Sequence, residues 1–410
     1  MDRDYDVIVA GAGPAGIQCA RDAAARGYDV AVLEREGEDE FPSTSNKSTG
    51  GTFPSMMASF GIPDDVVMKF TDKVVLESPN SHYTQEHPGA VLEFADFKKF
   101  LVDDAREKGA EFLFGTQVSE PLVEGGKVTG VRCAGDDKLT AHLTVDATGP
   151  GAALAQKVGV VDLERTNQAV GVEYEYEGVN LNPEEGGYAD LRGAMMLRLD
   201  HGIAPGGYAW IFHTGGDTAK VGVCYIQNER YHDFDDGKTI DDYLNDWLED
   251  DPRFENAERI GESHHRGSAH IQEPQGMSTG GFMAVGDTVP SVDPVWGEGI
   301  NKCMRSGRMA AVTADTCLTA GVDVSAEAVS TYDDLWHEEV APRVGSRLTM
   351  TRLLYLVSND RYDRLMRDLN NADEDTLRKA NNGSKRAIMK LLHLGDIPTL
   401  LKFGKQTVRG

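Results

Sequence analysis

The sequence has few cysteines, few basic residues and no long apolar run. Its 410 residues contain five cysteines, an odd number, and no Cys-x-x-Cys pair. This pattern excludes a disulfide framework and a zinc site, and it indicates a reducing compartment. No apolar run reaches the ~18 residues that a membrane-spanning helix needs, and no leader-like segment precedes Tyr5. We therefore expect a cytoplasmic protein that is neither secreted nor membrane-spanning.

The shortage of basic residues leaves a large acidic excess. Lysine and arginine number 41 against 67 aspartates and glutamates, a net charge of −26. Such a surface repels phosphate backbones, so nucleic acid is excluded as a partner. At about 1 M salt the Debye length falls to roughly 3 Å, which removes the self-repulsion of the acidic surface. The composition favours a halophilic source over an ordinary acidic cytosolic protein.

The first residues form a nucleotide-binding pattern. An apolar strand over Tyr5–Ala10 leads into Gly11-Ala12-Gly13-Pro14-Ala15-Gly16, a helical stretch follows, and a second apolar strand ends at Glu34. In this motif the first glycine permits a tight turn, the second lets the backbone approach a pyrophosphate, and the third allows close helix packing. An acidic residue at Glu34 suits an unphosphorylated ribose. The pattern predicts binding of FAD or NAD.

Strand signals change in the middle of the chain. Segments near Glu173 and over Gly206–Phe212 alternate with period two, as in an antiparallel sheet. Strands of the first type return near Leu143 and Phe282, and the pattern is helical from about Val324. We predict a cofactor domain in two parts, residues 1–166 and 276–323, an inserted antiparallel substrate domain at 167–275, and a helical C-terminal region at 324–410.

The C-terminal region is basic in an acidic protein. Residues 341–410 contain fourteen lysines and arginines and seven acidic residues. Basic residues near an anionic lipid surface contribute about 1 kcal/mol each at ordinary ionic strength. An apolar face from Ile388 to Phe403 would then lie in the interface. The pattern predicts peripheral contact with the inner face of the membrane. The alternative is that this face packs on the protein's own core.

Two later segments resemble the FAD-binding fold shared with aromatic hydroxylases. They are Thr144–Gly149 and Phe282–Asp287, followed by Asp293-Pro294 and by Gly297–Ile300 at the start of a helix. In that fold the aspartate of the Gly-Asp pair holds the ribityl chain, and Asp287 matches it. A helix beginning near Gly299 would stabilise negative charge on a reduced flavin. The resemblance implies an α/β, Rossmann-like flavoprotein fold with an inserted antiparallel sheet and FAD as cofactor.

Over nearly the whole chain, the order of these segments resembles the geranylgeranyl reductase family, and within it the archaeal branch that acts on digeranylgeranylglycerophospholipid. In that family FADH₂ saturates the isoprenoid double bonds of ether lipids. The resemblance implies the following cofactor-binding residues: Gly11, Gly13, Ala15, Gly16, Glu34, Gly51, Asp287, Gly297, Gly299 and Ile300.

The substrate wall implied by the family is the Tyr-x-Trp-x-Phe strand. Tyr208, Trp210 and Phe212 lie at alternate positions of a strand and therefore on one face. From the pattern alone, core packing explains three such aromatics equally well. With the resemblance, they form an apolar wall for a polyprenyl chain.

This sequence departs from the family at two places. Relatives often have a cysteine where this chain has Ser48 or Thr49, and a hydroxyl is too weak an acid to protonate carbon unaided. The catalytic residues therefore stay unknown. Relatives usually have an arginine near the cofactor where this chain has Phe94. Neighbouring strand residues point to opposite faces, so the cluster of His264, His265 and His270 does not predict a metal site.

The activity expected from the resemblance is hydride transfer from reduced flavin to an isoprenoid double bond. Two alternatives stay open: a flavin-dependent hydroxylase or dehydrogenase acting on a small substrate, and a non-catalytic prenyl-lipid carrier. The chain has a single dinucleotide fingerprint, so electrons come from ferredoxin or from NAD(P)H by transient contact. The sequence does not decide between these donors, or between a phospholipid and a free diphosphate as the acceptor.

Overall fold

The computed structural model describes residues 3–43, 48–184, 186–261, 265–293, 295 and 297–381. The strands in chain order are β1 (Tyr5–Ala10), β2 (Val30–Leu33), β3 (Gly51–Thr52), β4 (Val67–Ser78), β5 (Ser81–Leu92), β6 (Glu111–Leu113), β7 (Val118–Glu124), β8 (Lys127–Cys133), β9 (Lys138–Asp146), β10 (Gln168–Glu177), β11 (Ala194–Arg198), β12 (Gly207–Gly215), β13 (Thr218–Ile226), β14 (Glu258–Arg259), β15 (His265–His270), β16 (Ser278–Thr279) and β17 (Phe282–Ala284). The helices are α1 (Pro14–Ala24), α2 (Pro54–Phe60), α3 (Phe94–Glu107), α4 (Ile240–Asp250), α5 (Ile300–Thr319), α6 (Ala326–Val329), α7 (Thr331–Leu335), α8 (Val344–Leu354), α9 (Asn359–Asn371) and α10 (Glu374–Asn381).

The first sheet has a parallel centre, as the short apolar strands predict. Its order is β16-β17-β9-β1-β2-β6, with β7 and β8 attached beside β9. Val9 pairs with Val32 on one side and with Val145 on the other. All three are fully buried, because helices cover both faces of a parallel sheet. The carboxyl ends of these strands meet at one edge, where Glu34 follows β2.

The second sheet is mostly antiparallel, with the order β14-β10-β13-β12-β11-β4-β5-β3 and β15 beside β10. Strands β3, β4 and β5 belong to it although they lie within the predicted segment 1–166. They join because β4 pairs in parallel with β11, a long-range pairing that no local pattern reveals. The domain boundaries themselves stay a prediction.

Each sheet has its own core. In the second sheet, Ala209 and Ile211 of β12 face a core completed by Trp247 of α4. The alternate residues of β12 therefore face the opposite side of the sheet. A third cluster joins Tyr355, at the end of α8, and Tyr362 and Met366 of α9 to the sheet.

The α/β class, the inserted antiparallel sheet and the helical C-terminal region are confirmed. The predicted helical pattern after Val324 becomes helices α6 to α10 and a π-helical turn over Trp336–Val340. No helix within the described ranges is both long and apolar enough to cross a membrane. The apolar face from Ile388 to Phe403 lies outside the described residues.

Candidate active site

The glycine turn after β1 has the geometry that its sequence predicts. Gly11 has φ +107°, which other residues rarely adopt, and an added Cβ at Gly16 would lie 2.8 Å from the Cβ of Ala147. A Cβ at Gly13 would meet nothing within 4 Å. Ala15 is buried against the backbone of Gly286. The turn thus leaves open space at Gly13, at the N-terminus of α1.

Glu34 closes this turn from the end of β2. Its carboxylate accepts hydrogen bonds from the backbone amides of Ala12 (2.8 Å) and Glu36 (3.0 Å), and it is buried. Lys98 lies close by, where burial lowers its pKa to about 8 against the opposing charges of Glu34 and Glu36. A carboxylate oxygen has two acceptor lone pairs, so Glu34 retains capacity for a ribose hydroxyl.

Asp287 lies where the first sheet meets α5. Its Oδ1 is 3.6 Å from Sγ of Cys303, and burial raises the pKa of the carboxyl group despite that contact. Helix α5 begins directly after Gly299, and the Glu298 carboxylate accepts a hydrogen bond from the first-turn amide of Asn301 (2.9 Å). Its first amides and the positive end of its dipole therefore point toward the same space as Asp287.

The predicted aromatic wall lies opposite this helix. Tyr208 and Phe212 each contact a glycine of the cofactor half: an added Cβ at Gly297 would overlap the Tyr208 hydroxyl, and one at Gly51 would lie 2.5 Å from Cε2 of Phe212. Trp210 lies between them and donates a hydrogen bond from Nε1 to Oε2 of Glu173 (2.8 Å). All three rings face one side of β12 and adjoin the cofactor half.

A single cavity of about 690 Å³ joins these parts. The predicted residues that line it are Gly51, Tyr208, Trp210, Phe212, Asp287, Gly297, Gly299 and Ile300. The other predicted residues do not line the cavity and lie in or beside the turn that precedes α1. They are Gly11, Gly13, Ala15, Gly16 and Glu34. Pro14 of that turn lines the cavity, so the two groups adjoin each other.

The loop that departs from the family also borders the cavity. Ser48, Thr49 and Phe94 all line it. The backbone carbonyl of Thr49 accepts a hydrogen bond from Nζ of the buried Lys220 (3.1 Å). This side of the cavity is therefore lined by two hydroxyl-bearing residues and an aromatic residue.

An ion pair fixes the other side of the cavity. Arg347 of α8 donates two hydrogen bonds of 2.7 Å to the carboxylate of Asp293. Burial opposes ionisation of Asp293, but Arg347 and the charge of Lys302 hold its pKa below the usual value. The C-terminal helices thus hold the loop that leads to Gly297. Pro294, the second residue of the predicted Asp-Pro pair, lies outside the described residues.

Sequence reasoning missed the polar residues beneath the wall. Glu173 is 3% exposed, and its Oε1 lies 3.3 Å from Nδ1 of His265. Glu173 was recognised only as part of an alternating strand. No local signal distinguishes it from its neighbour Glu175, because its burial depends on pairing across β13. The described residues contain no cluster of histidine, cysteine and carboxylate groups able to hold a metal, and His264 lies outside them.

Comparisons with known proteins identify the family. A model for FAD-dependent oxidoreductases matches residues 6–169, and a model for the geranylgeranyl reductase catalytic domain matches residues 176–263. A digeranylgeranylglycerophospholipid reductase from Haloferax volcanii is 62% identical over 407 residues, covering 99% of both chains. The chain belongs to the geranylgeranyl reductase family. This reductase is a FAD-dependent oxidoreductase, and its acidic composition is consistent with a relative from Haloferax.

More distant matches agree on fold. Digeranylgeranylglycerophospholipid reductase 1 from Methanopyrus kandleri is 31% identical over 344 residues, which are 82% of this chain and 87% of that one. The structure of a geranylgeranyl bacteriochlorophyll reductase-like protein from Thermoplasma acidophilum has a TM-score of 0.81 at 22% identity, covering 94% of this chain and 95% of that one. The flavin-dependent brominase Bmp2 has a TM-score of 0.72 at 19% identity, covering 92% of both chains. The last two show the fold alone.

The residues of the reductase fit FAD. The space beside Gly13 is open, Asp287 lines the cavity, and Gly299 and Ile300 at the start of α5 line the same cavity. A carboxylate accepts hydrogen bonds from hydroxyl groups, and a helix N-terminus favours an anion. These features match the ribityl hydroxyls and the anionic reduced ring of a flavin.

Proposed function

We propose that this reductase saturates the geranylgeranyl chains of an archaeal ether-lipid precursor, a digeranylgeranylglycerophospholipid. The observation that carries the proposal is the cavity in which Asp287 and the start of α5 face the aromatic wall of β12. A relative of 62% identity has the corresponding reductase name. The proposed cofactor-binding and substrate-binding residues are those implied by the family resemblance.

Reduced FAD supplies the hydride for one alkene carbon, and a proton adds to the other carbon. The protein's task is to hold an unactivated double bond in register and to exclude water. Tyr208, Trp210 and Phe212 provide an apolar surface along which a polyprenyl chain lies. Asp287 would hold the ribityl chain of FAD, and Glu34 would hold the ribose of its adenosine part. Ser48 and Thr49 line the cavity, but their hydroxyls are weak acids, so no proton donor is assigned.

The proposed location is the cytoplasmic side of the membrane, with peripheral attachment through the basic C-terminal region. Support comes from the local excess of lysine and arginine over residues 341–410. An anionic surface attracts such a region at low salt, and apolar burial maintains the contact when salt screens the charges. Cosedimentation of the full chain with anionic vesicles should decrease only partly at high salt. Complete release would contradict an apolar contribution.

The test of the activity is direct. Purified protein, reduced with dithionite at high salt, is incubated with unsaturated ether lipid and analysed by mass spectrometry. The expected product gains one H₂ for each saturated bond. Hydroxylated product formed with NADPH and oxygen would instead support a hydroxylase, and a colourless protein without flavin would support a lipid carrier. The Asp287→Ala variant, with reduced FAD content, serves as the matched control.

A further inference from the structure

A row of four residues crosses the antiparallel sheet beneath the cavity. Trp210 of β12 pairs with Gly222 of β13, Gly222 pairs with Glu173 of β10, and Glu173 pairs with His265 of β15. Directly paired residues project from the same face of a sheet. The indole of Trp210 therefore reaches the carboxylate of Glu173 across an intervening strand.

Glycine at position 222 makes this reach possible. An added Cβ there would lie 2.5 Å from Cε2 of Trp210, and one at Gly171 would lie 3.9 Å from Cη2. The indole thus lies flat over the glycines of β13 and β10. Its N–H ends 2.8 Å from Oε2 of Glu173. When the indole lies flat on the sheet, its face borders the cavity. If the ring turned away from the sheet, it would project into the cavity and narrow it.

Glu173 is held as an anion between Gly222 and His265 in the row. Burial opposes its ionisation, but hydrogen bonds from His265, Thr49 and Trp210, together with the charge of Lys220, hold its pKa below the usual value. A buried charge costs several kcal/mol unless it is fully partnered, and an apolar residue would fill the site at lower cost. Unlike an apolar residue, the carboxylate orients the side chains that donate hydrogen bonds to it, including the Trp210 indole.

We propose that Glu173 is a positioning residue whose carboxylate holds the Trp210 indole flat over Gly222, and so sets the width of the cavity for an isoprenoid chain. This inference rests on the proposed function for the identity of that chain. The same carboxylate accepts a hydrogen bond from the Thr49 side chain, so Glu173 holds both the aromatic wall and the loop at Thr49. Neither Glu173 nor Gly222 touches the reacting atoms.

The test compares Glu173→Ala, Glu173→Gln and Glu175→Gln in the FAD-loaded full chain. Glu175 is on the same face of β10, one row further along, and it accepts a hydrogen bond from Thr214 instead of the indole. The probe is a fully saturated diphytanylglycerol phosphate, which binds without being reduced. We expect Glu173→Ala to weaken its binding about ten-fold, because an indole that is no longer held in place must be ordered again when the lipid binds. Glu173→Gln keeps an acceptor and should restore most of the affinity, and Glu175→Gln should match the wild type.

A spectroscopic readout separates positioning from a general structural role. The emission of Trp210 is obtained by subtracting the spectrum of Trp210→Phe. It should shift in Glu173→Ala and stay unchanged in Glu175→Gln, with FAD content equal in both. KM for the unsaturated lipid should rise more than kcat falls. Unchanged Trp210 emission and lipid affinity in Glu173→Ala would overturn the proposal.

A second variant covers the case in which Glu173→Ala does not fold. Gly222→Ala leaves the carboxylate in place and displaces the indole from the other side. Its added Cβ would also lie 2.6 Å from the backbone oxygen of Val172, so circular dichroism and FAD content are compared with the wild type. In the folded variant, lipid binding should weaken in the same way. If Gly222→Ala bound the lipid probe as tightly as the wild type, the position of the indole would not control lipid binding. If the wild type itself saturates no lipid, the proposed function fails. The response of Trp210 emission to Glu173→Ala then still decides whether Glu173 positions the ring.

Discussion

The two sheets contribute to the same cavity in different ways. The parallel half works mainly through its backbone: the turn at Gly11, the space beside Gly13 and the amides at the start of α5. The antiparallel half works through side chains arranged in rows across strands, such as Trp210 and Glu173. Backbone sites require glycines at fixed local spacing and so leave a contiguous motif. Rows across strands combine residues that are distant in sequence, so they leave no contiguous motif.

The largest expected effect concerns the stability of the antiparallel half. Arg253 is fully buried and donates hydrogen bonds to Glu77 (2.9 Å) and Asp251 (2.6 Å). Arg253→Met removes the cation shared by two buried carboxylates: Asp251 loses its ion-pair partner, and Glu77 keeps only Arg198, which should cost about 3–5 kcal/mol of unfolding free energy. Denaturant unfolding at high salt measures it. Arg192→Met, which removes an exposed partner of Asp190, should leave stability unchanged. If the two variants were equally stable, buried side-chain networks would not be what stabilises this half.

A similar but smaller effect is expected for cofactor affinity in the parallel half. Asp287→Ala removes a buried acceptor that faces the cavity. Loss of a hydrogen bond to a charged group, about 1.5–3 kcal/mol, predicts FAD binding that is ten- to a hundred-fold weaker in a folded protein. Flavin absorbance after gel filtration measures it. Cys303→Ala removes the neighbour of Asp287 but keeps the carboxylate, and should retain FAD. Full flavin content in Asp287→Ala would show that the backbone alone holds the cofactor.

The third prediction separates two glycines of one turn. Gly16→Ala brings a Cβ to 2.8 Å from that of Ala147, so the apoprotein should lose about 1–3 kcal/mol through overpacking. Gly13→Ala meets nothing within 4 Å, so the apoprotein should keep its stability and lose affinity for FAD. Thermal unfolding with and without added FAD measures both effects. If Gly13→Ala binds FAD normally, the pyrophosphate lies elsewhere.

The smallest effect is a pH dependence where the second sheet meets the C-terminal helices. His201 stacks on Phe234, its Nε2 lies 2.8 Å from the carbonyl oxygen of Val357, and burial lowers its pKa from 6.5 to about 4. Between these values the unfolded state binds more protons, so stability should fall as pH decreases below 6.5. The loss should be on the order of 1–2 kcal/mol by pH 5.

The control is His201→Phe, which keeps the aromatic stack and has no ionisable group. Its stability should change less than that of the wild type between pH 6.5 and pH 5. Parallel pH profiles for the two proteins would assign the acid sensitivity to other groups. The buried histidines among the described residues, His201 and His213, both lie on the side of the second sheet.

Much of the parallel half was predictable. The strand ending at Ala10, the helix after Pro14 and the helix beginning at Ile300 occur where the motifs indicate. The alternating segments near Glu173 and Tyr208 are antiparallel strands, as predicted. The participation of β4 and β5 in the second sheet was not predictable, because it depends on the parallel pairing of Met196 with Val75 across more than a hundred residues.

The candidate site was predictable to the same extent. The family resemblance suggested Tyr208, Trp210 and Phe212, and the structure places them along one cavity with Asp287. It did not suggest Glu173, which resembles Glu175 in every local respect. Only the register of β10 against β13 sets one of them beneath an indole and the other beside Thr214.

The amino-acid sequence by itself determined the nucleotide turn, the acidic surface and the alternation of the strands, because each depends on residues close together in the chain. Tertiary structure alone decided which face of β12 borders the cofactor half, which glutamate is buried, and how α8 fixes Asp293. The physical reason is that hydrogen bonds and packing across strands act between residues brought together only by folding. The strength of these interactions depends on burial, and the sequence alone does not show which individual residues are buried.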